Sequence, residues 1–148
     1  MQKIIVLGGG MVGSAMCADL SGEFDVTCAD FNQDVLKSLS STLKIKTIPC
    51  DFSKKDEVQK VISSFDLVVG AVPGFLGFEV LKTIIESGKN CVDISFFPED
   101  AFLLDELAKK HNVTVVVDCG VAPGMCNMIA GYRSEEHTSE LQSRQYLV

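Results

Sequence analysis

The apolar run Ile4-Ile5-Val6-Leu7 leads without interruption into Gly8-Gly9-Gly10-Met11-Val12-Gly13. An apolar strand, a glycine turn and then a helix is the order in which α/β chains grip the pyrophosphate of a dinucleotide. In a G-x-G-x-x-G turn Gly8 supplies the tight bend, Gly10 leaves no Cβ between backbone and phosphates, and Gly13 lets the helix pack close to its strand. The anion is then met by free backbone N–H groups at the helix N-terminus, where Met11 and Val12 form the first turn, and no basic side chain is needed. Glycine-rich turns are common, so the weight of this one depends on the rest of the chain.

From Ser14 onward the sequence alternates between short β-branched runs and segments with apolar residues at helical spacing. Strands are expected at residues 3–7, 25–29, 45–49, 67–72, 91–94 and 113–117, and helices at about 11–21, 33–42, 54–64, 76–87 and 99–112. That alternation is the signature of a parallel sheet with crossover helices. Val35, Leu36, Leu39 and Leu43 share a face of the second helix, and Val80, Leu81, Ile84 and Ile85 share one of the fourth. Asn32 is placed to cap the second helix, Ser53 with Asp56 forms an S-x-x-D start for the third, and Gly88 falls where a terminal glycine ends the fourth. Right-handed crossovers leave few topologies, and the glycine turn after the first strand selects an α/β doubly wound sheet of order 3-2-1-4-5-6, the Rossmann arrangement.

Composition excludes other classes of partner. The 148 residues carry a formal charge of −7 and no basic cluster, which leaves no electrostatic footprint for nucleic acid or an anionic membrane. Apolar stretches are broken well short of the roughly 20 residues of a membrane span, and the run after Lys3 is too short for a secretory signal. A cytoplasmic protein is expected. The six cysteines form no C-x-x-C pair and have no neighbouring histidines, so the expectation is no metal site, no disulfide framework, and free thiols used as small buried hydrophobes.

The ligand is narrowed by Asp30, at the end of the second strand run. A carboxylate there accepts hydrogen bonds from a ribose diol and repels the 2′-phosphate of NADP, so NAD is the expected cofactor and NADP the less favoured one. No arginine precedes Arg133, although Lys37 offers a positive charge near Asp30. Asp51 follows the third strand, where it either meets the adenine amine or starts the next helix. Gly70-Ala71-Val72-Pro73-Gly74 ends the fourth strand beside the first, so Ala71, Val72 and Pro73 should border the cofactor crevice. Asp93 lies near the end of the fifth strand, with a structural role at least as well supported as a chemical one. His111 stands at a helix end, where a surface role suits it, and Cys119 has no histidine paired with it by sequence. No catalytic residue is assigned.

The string Asp118-Cys119-Gly120-Val121-Ala122-Pro123-Gly124-Met125, followed by Asn127 and Gly131-Tyr132, resembles the junction between cofactor and substrate domains in the saccharopine dehydrogenase family, closest to its lysine 6-dehydrogenase-like branch. Val68-Val69-Gly70-Ala71-Val72-Pro73 and Cys91-Val92-Asp93-Ile94 carry the same resemblance, whereas Gly74-Phe75 and Ser95-Phe96-Phe97 depart from the branch pattern. The resemblance implies an NAD(P)-dependent oxidoreductase acting at a carbon–nitrogen bond of a lysine-related amino acid. It places residues 118–124 at the mouth of the nicotinamide site. It further implies a substrate domain after Tyr132 and a homo-oligomeric parent. Residues 133–143 resemble the translation of a sequencing-library adapter, and the chain's two arginines, Arg133 and Arg144, both fall at or beyond this point. Residues 1–132 are therefore expected to form the dinucleotide-binding domain and residues 133–148 a foreign, poorly packed tail. A nucleotide-sensing module without catalysis is the competing reading, distinguished by the absence of a substrate domain.

Overall fold

The computed structural model describes residues 1–136. Six strands, β1 (Lys3–Leu7), β2 (Asp25–Asp30), β3 (Lys46–Pro49), β4 (Leu67–Gly70), β5 (Asn90–Asp93) and β6 (Val115–Val116), form one sheet in the order β3-β2-β1-β4-β5-β6. Every pairing is parallel. The expected doubly wound topology is therefore the observed one. The crossovers carry α1 (Met11–Leu20), α2 (Gln33–Leu43), α3 (Lys55–Ile62), α4 (Gly74–Glu86) and α5 (Asp105–His111).

The unbroken apolar character of β1 follows from its central place. Ile5 and Leu7 join a core with Val58, Ile62, Val80, Leu81, Ile84 and Ile85, residues of α3 and α4. Ile4 and Val6 join a second core with Cys17 of α1 and Leu39 of α2. A strand covered on both faces buries both of its alternating sets, so it reads as a continuous hydrophobic run.

Local signals account for several boundaries. The Asn32 side-chain oxygen accepts the N–H groups of Asp34 at 2.9 Å and Val35 at 3.4 Å, as its position before α2 predicted. Gly88 donates to the Ile85 carbonyl at 2.9 Å, closing α4. The expected Ser53 cap does not form. Lys54 holds the capping position of α3, and Asp51 organises the lead-in by accepting both the N–H and the hydroxyl of Ser53, at 3.0 and 2.7 Å. The Asx turn draws the Ser53 hydroxyl toward Asp51, to which it donates, and away from the N–H groups of α3 that a cap would accept. The long helix expected at 99–112 is split into a 3-10 turn at Ala101–Leu104 and α5, with Asp100 capping the turn through the Phe102 N–H at 3.0 Å. β6 is shorter than expected.

The chain divides into two compact units, Met1–Val117 and a second beginning at Asp118. In the second unit, Met125 and Cys126 donate to the carbonyls of Gly120 and Val121 at 2.9 and 3.0 Å, and the loop so closed opens into α6 (Met125–Glu136). The helix continues past Arg133 to Glu136. The rest of the tail, residues 137–148, lies outside the described residues. No helix among the described residues is long and apolar enough to cross a membrane, and none of their His, Cys, Asp and Glu side chains cluster as metal ligands.

Candidate functional site

The carboxyl edge of the sheet is stitched together one residue beyond its strands. Gly8 donates to Ala29 and Ala71 to Leu7, both at 2.8 Å, while Cys50 donates to Asp30 and Ile94 to Gly70, both at 3.0 Å. These bonds hold the loops after β1, β2, β3, β4 and β5 in a fixed row. β1 and β4 are the neighbours from which the order runs outward in opposite directions, so the crevice of the switch point opens between their ends.

In that crevice the glycine turn is shaped by close approach. Gly8 has φ +105°, and a Cβ there would strike the Ala71 carbonyl oxygen. A Cβ on Gly13 would strike the carbonyl oxygen of Gly8. A Cβ on Gly10 would meet nothing within 4 Å. The fold thus requires bare backbone at the first and last of these positions. At the middle one it leaves open space beside the first turn of α1, which has no side-chain cap and whose leading N–H groups lack helical partners. That is the cradle a phosphate needs, and the residues fit a dinucleotide.

Asp30 braces the turn from the neighbouring strand. Its carboxylate accepts the Gly9 N–H at 2.7 Å and the Asn32 N–H at 2.8 Å, and only 7% of the residue is exposed. The middle glycine of the triplet, Gly9, was not among the expected ligand residues. Its own constraint is contact, since a Cβ there would press on Val35, Leu39 and Cys28. Each Asp30 oxygen keeps acceptor capacity for a hydroxyl. Lys37 pairs with Asp34 at 3.7 Å on the surface.

The other expected residues fall along the same edge. Ala71 lies against the glycine turn, Val72 turns its side chain into the core, and Pro73 stands exposed as the residue capping α4. Met11 and Val12 are exposed at the start of α1. At the end of β3, Asp51 pairs with Lys54 at 3.5 Å, and its carboxyl is held below the usual range mainly by the Ser53 hydroxyl and N–H. Its observed partners are those of a helix lead-in. Asp93 is fully buried and accepts the Ser95 N–H at 2.6 Å, which ties the end of β5 to the loop after it. His111 ends α5 in a last turn with Lys109 and Lys110, where cations are favoured. Asp118 and Cys119 belong to the second unit.

A parallel switch-point crevice, bare glycine backbone at a helix N-terminus and a carboxylate at the end of the neighbouring strand define a nucleotide-binding domain of the Rossmann type. Residues 4–121 match the family described as saccharopine dehydrogenase NADP binding domain, and the chain belongs to that family. It is similar to a saccharopine dehydrogenase (NADP+, L-glutamate-forming) of Pyricularia oryzae, 26% identical over 137 residues that make up 91% of this chain and 30% of that protein. An alpha-aminoadipic semialdehyde synthase of Arabidopsis thaliana is 26% identical over 98 residues, 66% of this chain and 9% of that one. The chain thus spans less than a third of the length of these curated relatives. Among solved structures, apo saccharopine dehydrogenase (L-Glu forming) from Saccharomyces cerevisiae superposes with a TM-score of 0.83 at 22% identity, covering 92% of this chain and 31% of that one. Scyllo-inositol dehydrogenase from Lactobacillus casei shares the fold at a TM-score of 0.70 and 14% identity, over 93% of this chain and 42% of that one.

Proposed function

We propose that this chain is the cofactor-binding part of an NAD-linked oxidoreductase acting on the carbon–nitrogen bond of a lysine-related amino acid. The observation that carries the cofactor is Asp30, whose buried carboxylate is braced by Gly9 and Asn32 beside the open turn at Gly10. In this reading the leading N–H groups of α1, at Met11, Val12 and Gly13, bind the pyrophosphate, with Gly8 and Gly10 making room for it. Asp30 receives the ribose diol, Asp51 borders the adenine, and Ala71, Pro73 and the backbone of Val72 flank the second ribose. The family description and the fungal relative's name specify NADP, whereas a carboxylate at this position disfavours a 2′-phosphate. The choice of NAD rests on that residue. The substrate class rests on the relatives, whose names join saccharopine and aminoadipic semialdehyde.

When bound, the nicotinamide supplies the hydride acceptor. The chain's own residues hold and orient it, and a base other than these residues takes the ammonium proton that must leave before hydride transfer. Substrate carboxylate and amine are held by a further domain, of the kind the relatives' greater length accommodates. Orientation of that sort accounts for roughly 7–11 kcal/mol of barrier lowering in well-positioned reactions. The 148-residue chain is therefore expected to bind cofactor and to show no useful turnover. Reduced-nicotinamide fluorescence with lysine and with saccharopine tests this, and turnover should appear when a substrate domain of the family is joined to the chain. Robust turnover by the chain alone would refute the division of labour.

A further inference from the structure

Four phenylalanines among the described residues stand exposed, Phe31, Phe75, Phe96 and Phe102, and two of them, Phe75 and Phe96, sit on segments that touch. Phe75, in the first turn of α4, is 83% exposed, and Phe96, in the loop after β5, is 75% exposed. Neither is a stray surface residue, because the backbone beneath them is tightly built. A Cβ on Gly74 would collide with the Phe96 carbonyl oxygen, so the two segments touch only because that residue is glycine. One helical turn on, a Cβ on Gly77 would press on the Phe97 ring and on Ser95. Asp93 fastens Ser95 through its N–H at 2.6 Å, and Phe97 is anchored edge-on to Phe78 with ring centroids 5.8 Å apart. Phe97 packs against the core while its neighbour Phe96 is held out of it. The segments that depart from the lysine 6-dehydrogenase-like pattern, Gly74-Phe75 and Ser95-Phe96-Phe97, are thus one packed unit.

Strand order says what lies over them. Asp30 ends β2, the glycine turn follows β1, Phe75 follows β4, and Phe96 follows β5. A dinucleotide with its adenosine ribose on Asp30 and its pyrophosphate on the glycine turn must carry its other nucleoside toward β4 and β5. From β2 to β5 the row crosses three inter-strand gaps, about 14 Å, a span suited to two nucleosides held apart by a pyrophosphate. We propose, resting on the cofactor reading above, that Phe75 and Phe96 form an aromatic wall that binds and orients the nicotinamide ring. A flat, electron-poor ring is the ligand that such faces and edges favour.

The test compares a complete dinucleotide with the same molecule lacking nicotinamide: NAD with ADP-ribose, and NADP with 2′-phospho-ADP-ribose, by calorimetric titration of the 148-residue chain. Phe75→Ala and Phe96→Ala are each expected to weaken the complete dinucleotide by about two- to tenfold and to leave the truncated one unchanged. Phe96→Tyr, which keeps a ring, should restore the affinity. Both rings are exposed, so the unfolding midpoint should not move. Equal effects on complete and truncated ligands, or no effect on either, would overturn the aromatic assignment while leaving cofactor binding intact. Failure of the unmodified chain to bind any of the four would instead bring down the cofactor reading, and this inference with it.

Discussion

Replacing Asp30 with serine separates the carboxylate's observed bracing of the turn from the cofactor selection proposed for it. The side chain accepts the Gly9 and Asn32 N–H groups at 2.7 and 2.8 Å, and a serine hydroxyl is too short to span both. Leaving a buried N–H without an acceptor costs about 1–3 kcal/mol, so the apo protein should lose stability of that order. The proposed selection is against a 2′-phosphate. Even at the dielectric of bulk water, a carboxylate and a phosphate of charge about −2 brought to about 5 Å repel by about 1.7 kcal/mol, close to twentyfold in Kd. Burial of Asp30, only 7% exposed, strengthens that repulsion while salt and its two bound N–H groups weaken it, so a preference for NAD of about tenfold is the expected outcome. Titrating both cofactors against both proteins gives the readout. The ratio of the two affinities is the quantity to compare, because damage to the glycine turn weakens both ligands alike. The ratio should collapse toward unity in Asp30→Ser. Equal or tighter NADP binding by the unmodified chain would refute the reasoning, and would mean that the 2′-phosphate finds a partner outside Asp30's reach.

Gly13→Ala should abolish dinucleotide binding and lower stability by about 1–3 kcal/mol in a denaturant titration, because the added methyl lands on the Gly8 carbonyl oxygen and must push α1 away from its strand. Alkylation of the native chain with iodoacetamide at neutral pH should be confined to the exposed Cys119 and Cys126, as read by mass spectrometry. Cys17, Cys28, Cys50 and Cys91 are buried and should react only after unfolding; burial also pushes the Cys50 thiol up to about 11 and contact with Cys17 raises that of Cys28, whereas the bond to Cys28 lowers the Cys17 thiol, so inaccessibility alone protects Cys17. Rapid labelling of any of the four in the folded state would contradict their place in the core.

Much of the architecture is legible in the chain because its signals are local. Alternating strand and helix periods, a glycine turn after the first strand and right-handed crossovers leave little choice but the order β3-β2-β1-β4-β5-β6. Asn32 and Gly88 announce helix ends through bonds made within a few residues. The places where sequence reading falls short depend on competition or on distance. Ser53 has the residue type of a cap, but its hydroxyl is drawn to Asp51 instead. The apolar set at 99–112 suits one helix, but Asp100 draws Ala101–Leu104 into a tighter turn. The place of Asp30 at the end of β2 is legible in the chain, whereas its role as the brace of the turn requires the Gly9 N–H, 21 residues away, to be brought to 2.7 Å. The exposure of Phe75 and Phe96 is the clearest case. Phenylalanines read as core by composition, yet Phe75 and Phe96 stand exposed, on segments of two different crossovers that touch where Gly74 meets the Phe96 carbonyl. Periodicity encodes which face of an element is buried. Which loops meet at the end of a sheet is decided by the tertiary fold, because the contacts that fix them join residues far apart in the chain.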